Sequence, residues 1–233
     1  MSNQTVVDFS ESLHALKKAL EEKKRPIQAG VLLWVANNPP QYPWRQPGKT
    51  PYEVFIGEWW LKEAPPAIVL HIYEPFLQSF ITIQALSKAR EEALSAFLAR
   101  FNLEPMAGRI KIVAEDLLKA GRGSLPQDSK ALAKASGLGR HSVMAVMNFG
   151  YNIPVAVVDA NVTRMLCRLF CHALPSRLVA GLVYALGESL LPQTNVQCYN
   201  CGLLDLSETV CGERAPLCPR CPVEKVCDHA HSS

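Results

Sequence analysis

Gly137-Leu138-Gly139 lies between two stretches of helical periodicity, and that arrangement restricts the fold more than any other feature of the chain. Residues 128–135 read as a helix opened by Asp128, and Val143, Val146 and Met147 recur with helical spacing on the far side. The glycines permit a tight turn and bring backbone close to a ligand with no Cβ in the way. A helix starting from such a turn aims its first N–H groups and its positive dipole end outward, which suits a phosphate. Further on, the apolar run Ile153–Val158 delivers Asp159 to the start of another helical pattern. A carboxylate brought in beside a phosphate-binding turn is a candidate for chemistry.

The 233 residues suffice for one large domain or two small lobes with a real core. With 48% hydrophobic and 19% charged residues the chain is an ordinary globular sequence, and alternating strand-like runs are scarce, so an all-α fold is expected. A net charge of +3 does not by itself argue for nucleic acid, but the segment Arg122 to Arg168 holds six Lys/Arg against two Asp and no Glu. Basic charge concentrated around the glycine turn is the footprint of a DNA contact surface. No signal peptide and no membrane-spanning apolar run are visible, so an intracellular protein is expected. In that compartment the eight cysteines read as ligands or buried thiols, not disulfides.

In chain order, residues 8–25 read as a helix with an Asp8/Glu11 capping box, ended by Pro26, and Gln28–Asn37 as a second helix. Thr50-Pro51-Tyr52-Glu53 is a strong start for the apolar helix Pro51–Glu63, and Glu58 sits within it just before two tryptophans. A helix from Pro66 to Phe80 should kink or stop at Pro75. Helical patterns follow at 82–88, 90–100, 105–119 and 176–190. Near the end, Cys211, Cys218, Cys221 and Cys227 are spaced C-x6-C-x2-C-x5-C through a loop rich in proline. Four thiolates so placed close around one soft metal centre, and spacing alone does not choose between zinc and an iron–sulfur cluster. Cys167, Cys171, Cys198 and Cys201 read as buried free thiols.

Pro43-Trp-Arg45, Pro51-Tyr52, Glu58, Gly137-Leu138-Gly139, Val158-Asp-Ala-Asn161 and the cysteine loop stand in one order. In that order they resemble the helix-hairpin-helix DNA glycosylases of the endonuclease III and adenine/thymine mismatch superfamily. The resemblance implies a two-lobed all-α fold with its active site in the cleft between lobes. It also implies an organisation: an N-terminal helical extension at 1–27, a glycosylase domain at 28–228 and a tail at 229–233. Within the domain, a hairpin lobe is expected at 50–165 and a cluster lobe from 28–49 and 166–228. It further implies a 4Fe-4S cluster on Cys211, Cys218, Cys221 and Cys227, Asp159 stabilising a sugar cation, and Glu58 as acid/base residue. The apolar surroundings of Glu58 are expected to hold its pKa up for that task. DNA would be met by Gly137, Leu138, Gly139, Arg140 and Lys62, with Leu103 as an apolar wedge.

Several positions depart from the family's pattern. His141 stands where endonuclease III has the lysine that attacks the sugar, and an imidazole forms Schiff bases poorly, so a monofunctional enzyme is expected. Lys62-Glu63 replaces the family's Gln-Gln or Arg-Arg, Asn102-Leu-Glu-Pro105 replaces its wedge, and Ala135-Ser136 replaces its Leu-Pro. The sequence runs only a few residues past the cysteine loop, so the domain with which adenine glycosylases read oxidised guanine is expected to be missing. The function these features imply is base excision repair: a DNA glycosylase, a monomer on double-stranded DNA, removing thymine or uracil opposite guanine. The alternatives are adenine removal from A·G or A·8-oxoguanine pairs, and a non-catalytic iron–sulfur DNA-binding protein.

Overall fold

The computed structural model describes residues 3–175 and 180–232, and among these there is no strand. The helices are α1 (Asn3–Asn37), α2 (Pro51–Glu63), α3 (Pro66–Ser79), α4 (Ile83–Lys88), α5 (Glu91–Ala99), α6 (Ala107–Ala120), α7 (Ser129–Ser136), α8 (Arg140–Ala145), α9 (Ala160–Leu169), α10 (Ala180–Ser189) and α11 (Val196–Thr209). The expectation of an all-α fold therefore holds. Residues 176–179 of the helix expected at 176–190 lie outside the described residues.

Pro26 and Pro75 both lie inside helices, which contradicts the expected stop at Pro26 and, of the two outcomes expected at Pro75, excludes only the stop. Pro26 does not end a helix, and Asp8 lies inside α1, not at its cap. Pro75 lies within α3, which continues to Ser79. An interior proline costs roughly 3 kcal/mol, and burial of the flanking turns outweighs it. Leu16, Ile27 and Val31 are buried along α1, as are Tyr73 and Phe76 around Pro75.

The chain forms two compact units, residues 42–153 and residues 1–41 with 154–233. The divisions, at 41/42 and 153/154, fall well before the expected 49/50 and 165/166, and the expected N-terminal extension is continuous with α1 of the second unit. In the 42–153 unit, α2 is buried on nearly every side, and Trp60, Phe76, Phe80 and Phe97 form a chain of edge and tilted ring contacts. Thr50 caps α2 reciprocally with Glu53, which fixes where the helix begins. Gly57 lets the indole of Trp44 lie on the helix, since a Cβ there would fall 2.2 Å from the ring.

In the other unit α1 packs along α11. Residues 154–158 form an extended segment with no helix or sheet to satisfy their peptide groups, and side chains take that role. Asn200 donates to the Val155 carbonyl (2.8 Å) and accepts from the Val157 amide (3.3 Å), while Glu188 accepts from the Ala156 amide (2.9 Å). This lacing delivers Asp159 to the N-cap of α9.

Candidate active site

Glu58, on the inner face of α2, is only 1% exposed. Its Oε1 accepts from the Trp44 indole N–H (3.1 Å) and from Arg45 Nε (3.0 Å), both carried by the turn Pro43–Arg45. Its Oε2 faces His141 Nε2 at 3.6 Å. Burial pushes the carboxyl up, but the Arg45 charge, the His141 ring and the hydrogen bonds from Arg45 and Trp44 outweigh it, and Glu58 ends below the usual carboxylate range. The expectation of a raised pKa is thus corrected: the apolar helix also brings a buried arginine, and a cation at hydrogen-bond distance outweighs desolvation.

The glycine turn has the expected form. Asp128 accepts from the Ala131 amide (2.8 Å) to cap α7, which ends at Gly137 with φ 64, a left-handed conformation that favours glycine. Ser136 secures the turn, its hydroxyl donating to the Leu132 carbonyl (2.6 Å) and accepting from the Leu138 amide (3.1 Å). Leu138 is buried beneath it, whereas Gly137, Gly139 and Arg140 are exposed. Lys62 donates to the Gly137 carbonyl (2.8 Å), tying the end of α2 to the turn, and its side chain remains 41% exposed. Glu63 is held by Arg109 through two bonds of 2.8 and 2.9 Å, so its charge is matched within the protein. Leu103 is half-buried in the bend after α5, next to Asn102 with φ 57.

Asp159 is half-buried and caps α9, accepting from the Val162 amide at 2.7 Å. One and two turns into α9, Arg164 and Arg168 reach the cysteine loop. Arg164 donates to the carbonyls of Cys211 (3.0 and 3.1 Å) and Ser207 (2.8 Å). Arg168 donates to the carbonyls of Cys211 (3.1 Å), Gly212 (2.7 Å) and Glu213 (2.8 Å), and to Cys211 Sγ at 3.4 Å. Two of the six cations counted toward a DNA footprint therefore hold the loop, while Arg122, Lys130, Lys134 and Arg140 are exposed on the unit that carries the hairpin. Cys211, Cys218, Cys221 and Cys227 are free thiols that line one small cavity together with Met165, Leu169, Val210 and Val223. Burial pushes Cys221 up to about 11, with Cys227, Cys211 and Cys218 adding to the rise. Among the described residues no three His, Cys, Asp or Glu side chains converge closely enough to hold a single metal ion. Of the other cysteines Cys201 is buried and Cys167 and Cys198 are half-buried, but Cys171 is exposed, contrary to expectation, because α9 ends at Leu169 and the turn after it lies at the surface.

Reading the sequence missed what Arg45, Arg164 and Arg168 do. Arg45 was visible only as part of Pro-Trp-Arg, and the i, i+4 spacing of Arg164 and Arg168 was the one sign that they share a helix face.

Two helices joined by a glycine turn, in a chain whose described residues are otherwise helical and loop, form a helix-hairpin-helix arrangement. Residues 66–177 match the family model of the HhH-GPD superfamily base excision DNA repair proteins. It is 25% identical over 213 residues to a thymine/uracil-DNA glycosylase of Methanothermobacter thermautotrophicus, covering 91% of this chain and 96% of that one. It is 26% identical to the Homo sapiens adenine DNA glycosylase, covering 86% of this chain but only 39% of the human protein's length. Among solved structures, a thermostable thymine-DNA glycosylase superposes with a TM-score of 0.82 at 25% identity, covering 92% of this chain and all of that one. Among the described residues no helix is long and apolar enough to cross a membrane.

Proposed function

We propose that the protein is a monofunctional DNA glycosylase of base excision repair that removes thymine or uracil opposite guanine. The observation that carries this reading is Glu58, an acidic group buried with an arginine beside the hairpin. Such a pair is costly to bury and is not needed for packing alone. A base inside a duplex is out of reach, so the nucleotide must be flipped from the stack. Gly137, Gly139 and Arg140 would hold backbone phosphate, while Leu138, buried and with its amide donated to Ser136, would anchor the turn from beneath; Lys62 would brace the turn, and Leu103 would fill the gap left in the stack. Cleavage of the bond between sugar and base leaves an oxocarbenium-like centre. Asp159 would face that cation as a carboxylate, and Glu58 would serve the proton transfers. His141 at the position of the strand-cutting lysine supports a reaction that stops at an abasic site.

Four cysteines around one cavity fit a 4Fe-4S cluster. A cubane binds each cysteine to a separate iron, which suits thiols spread around a cavity better than four ligands meeting at one zinc. When bound, it would cross-link residues 211–227 into one rigid loop, which Arg164 and Arg168 hang on the helix that Asp159 opens.

The thymine/uracil assignment is supported by the match along 96% of the Methanothermobacter enzyme. A second reading, adenine removal, is supported by the likeness to adenine glycosylases. Purified protein incubated with T·G, U·G, A·G, A·8-oxoguanine and fully paired duplexes, then heated with alkali, separates them. Strand breaks at T·G and U·G are expected. Breaks confined to the adenine strands would replace the first reading with the second.

A further inference from the structure

In an extended chain successive residues face opposite ways, and residues 154–158 are held accordingly from two helices. Asn200 on α11 bonds the Val155 carbonyl and the Val157 amide at 2.8 and 3.3 Å. The residue between them is held from α10, where the Glu188 carboxylate accepts from the Ala156 amide at 2.9 Å. Gly187 lets α10 come this close, since a Cβ there would stand 2.9 Å from Val158 Cγ2 and 3.4 Å from Ala156 Cβ. Helix stability does not call for a carboxylate at Glu188. It lies in the last turn of α10, beside the negative end of the helix dipole, and no basic residue in that turn offsets it. What the carboxylate gains there is the bond to Ala156, three residues before Asp159.

We propose that Glu188 is a positioning residue for Asp159: from α10 it closes a two-sided clamp on residues 154–158 and so fixes where the Asp159 carboxylate stands during base release. This rests on the reading above that Asp159 faces the sugar cation. The two bonds from Asn200 set the register of the segment, and the bond from the other helix removes its freedom to turn about them. Displacing a reacting group by about 1 Å costs on the order of 100-fold in rate, so a loosened segment is felt in the chemistry. All of these groups belong to the unit formed by residues 1–41 and 154–233. The same unit carries a reporter of the carboxylate. Asp159 Oδ1 accepts from the Val162 amide at 2.7 Å, and amides in the first turn of a helix have no partner within it. Protection of Val162 from hydrogen exchange therefore follows the position of Asp159.

Single-turnover base release, duplex affinity, thermal unfolding and amide exchange are compared for wild type, Glu188→Ala and Glu188→Gln. Glutamine keeps an acceptor oxygen for Ala156 and removes only the charge, whereas alanine removes the acceptor. Glu188→Ala should release base at least about tenfold more slowly while binding duplex within about threefold of wild type. Its Ala156 and Val162 amides should both exchange faster. Glu188→Gln should stay within about threefold of wild type in rate and affinity and keep both amides protected. If Glu188→Ala does not fold, Gly187→Ala, whose methyl would push Val158 off α10, should show the same slowing and the same fast exchange at Val162. Release by Glu188→Ala within about threefold of wild type would overturn the proposal, as would unchanged exchange at Val162. Faster exchange spread evenly over the unit would also overturn it, since that marks a structural role alone. So would a Glu188→Gln enzyme as slow as the alanine variant, because charge and not the bond to Ala156 would then matter. If wild type releases no base from any duplex while Val162 exchange rises in Glu188→Ala, the glycosylase reading fails and the clamp on Asp159 stands.

Discussion

At the scale of single residues, Glu58 and Arg45 set the character of the site. Because the folded Glu58 titrates below its ordinary 4.5, its pairing stabilises the protein above that pH and the contribution is lost as pH falls through the lowered value. Arg45→Ala, which leaves Glu58 buried without its cation, should therefore cost about 3–5 kcal/mol near pH 7. The cost should shrink steadily in acid, as denaturant unfolding at several pH values would show. If Asp159 serves the proposed role, Asp159→Asn should abolish base release while leaving DNA affinity equal or higher, because it removes the charge that would stabilise the sugar cation and repel phosphate. Release within tenfold of wild type would remove Asp159 from the catalytic role. His141→Lys should gain at most weak strand cleavage and borohydride trapping. An ammonium facing Glu58 is kept charged, and a charged amine does not attack the sugar.

At the scale of elements, the hairpin separates two uses of glycine. Gly137 has φ 64, whereas Gly139 has φ −70 and open space where a Cβ would go. Gly137→Val should therefore lose about 1–2 kcal/mol of stability from strain. Gly139→Ala should leave thermal unfolding unchanged and weaken duplex binding, since its new methyl would point only toward whatever approaches from outside. Equal loss of stability in both would show that the second glycine serves the fold alone. Ser136 and Lys62 explain how the turn keeps its shape without the family's usual proline: one secures it from within and the other ties it to α2.

At the scale of the whole molecule, the cysteine loop has short 3₁₀ turns and little apolar core of its own, and α9 holds it mainly through two arginines. Purified protein should be yellow-brown and carry about four irons per chain. Cys211→Ser should lower thermal stability and duplex affinity more than the rate of base release from bound DNA. A colourless protein with one zinc would show that the four thiols serve a different metal.

The helices around the hairpin, the capped start of α2, the glycine turn and the cysteine spacing were legible in the sequence because each is local. Periodicity, caps and φ preferences act within a few residues, so their signals are written side by side. The helix running through Pro26 was not legible, because only burial of Leu16, Ile27 and Val31 in the unit's core outweighs the proline. Neither was the ionised state of Glu58. The apolar run around it argued for a neutral acid, and folding answered with Arg45, thirteen residues away in sequence and 3.0 Å away in space. Arg164 and Arg168 counted as surface charge until the fold turned them toward the loop at residues 207–213. Residue types and local spacing determined which groups this protein could use. Which charges meet, and hence which protons move, was decided only by tertiary contacts, because electrostatic pairing depends on distance and burial that no local pattern encodes.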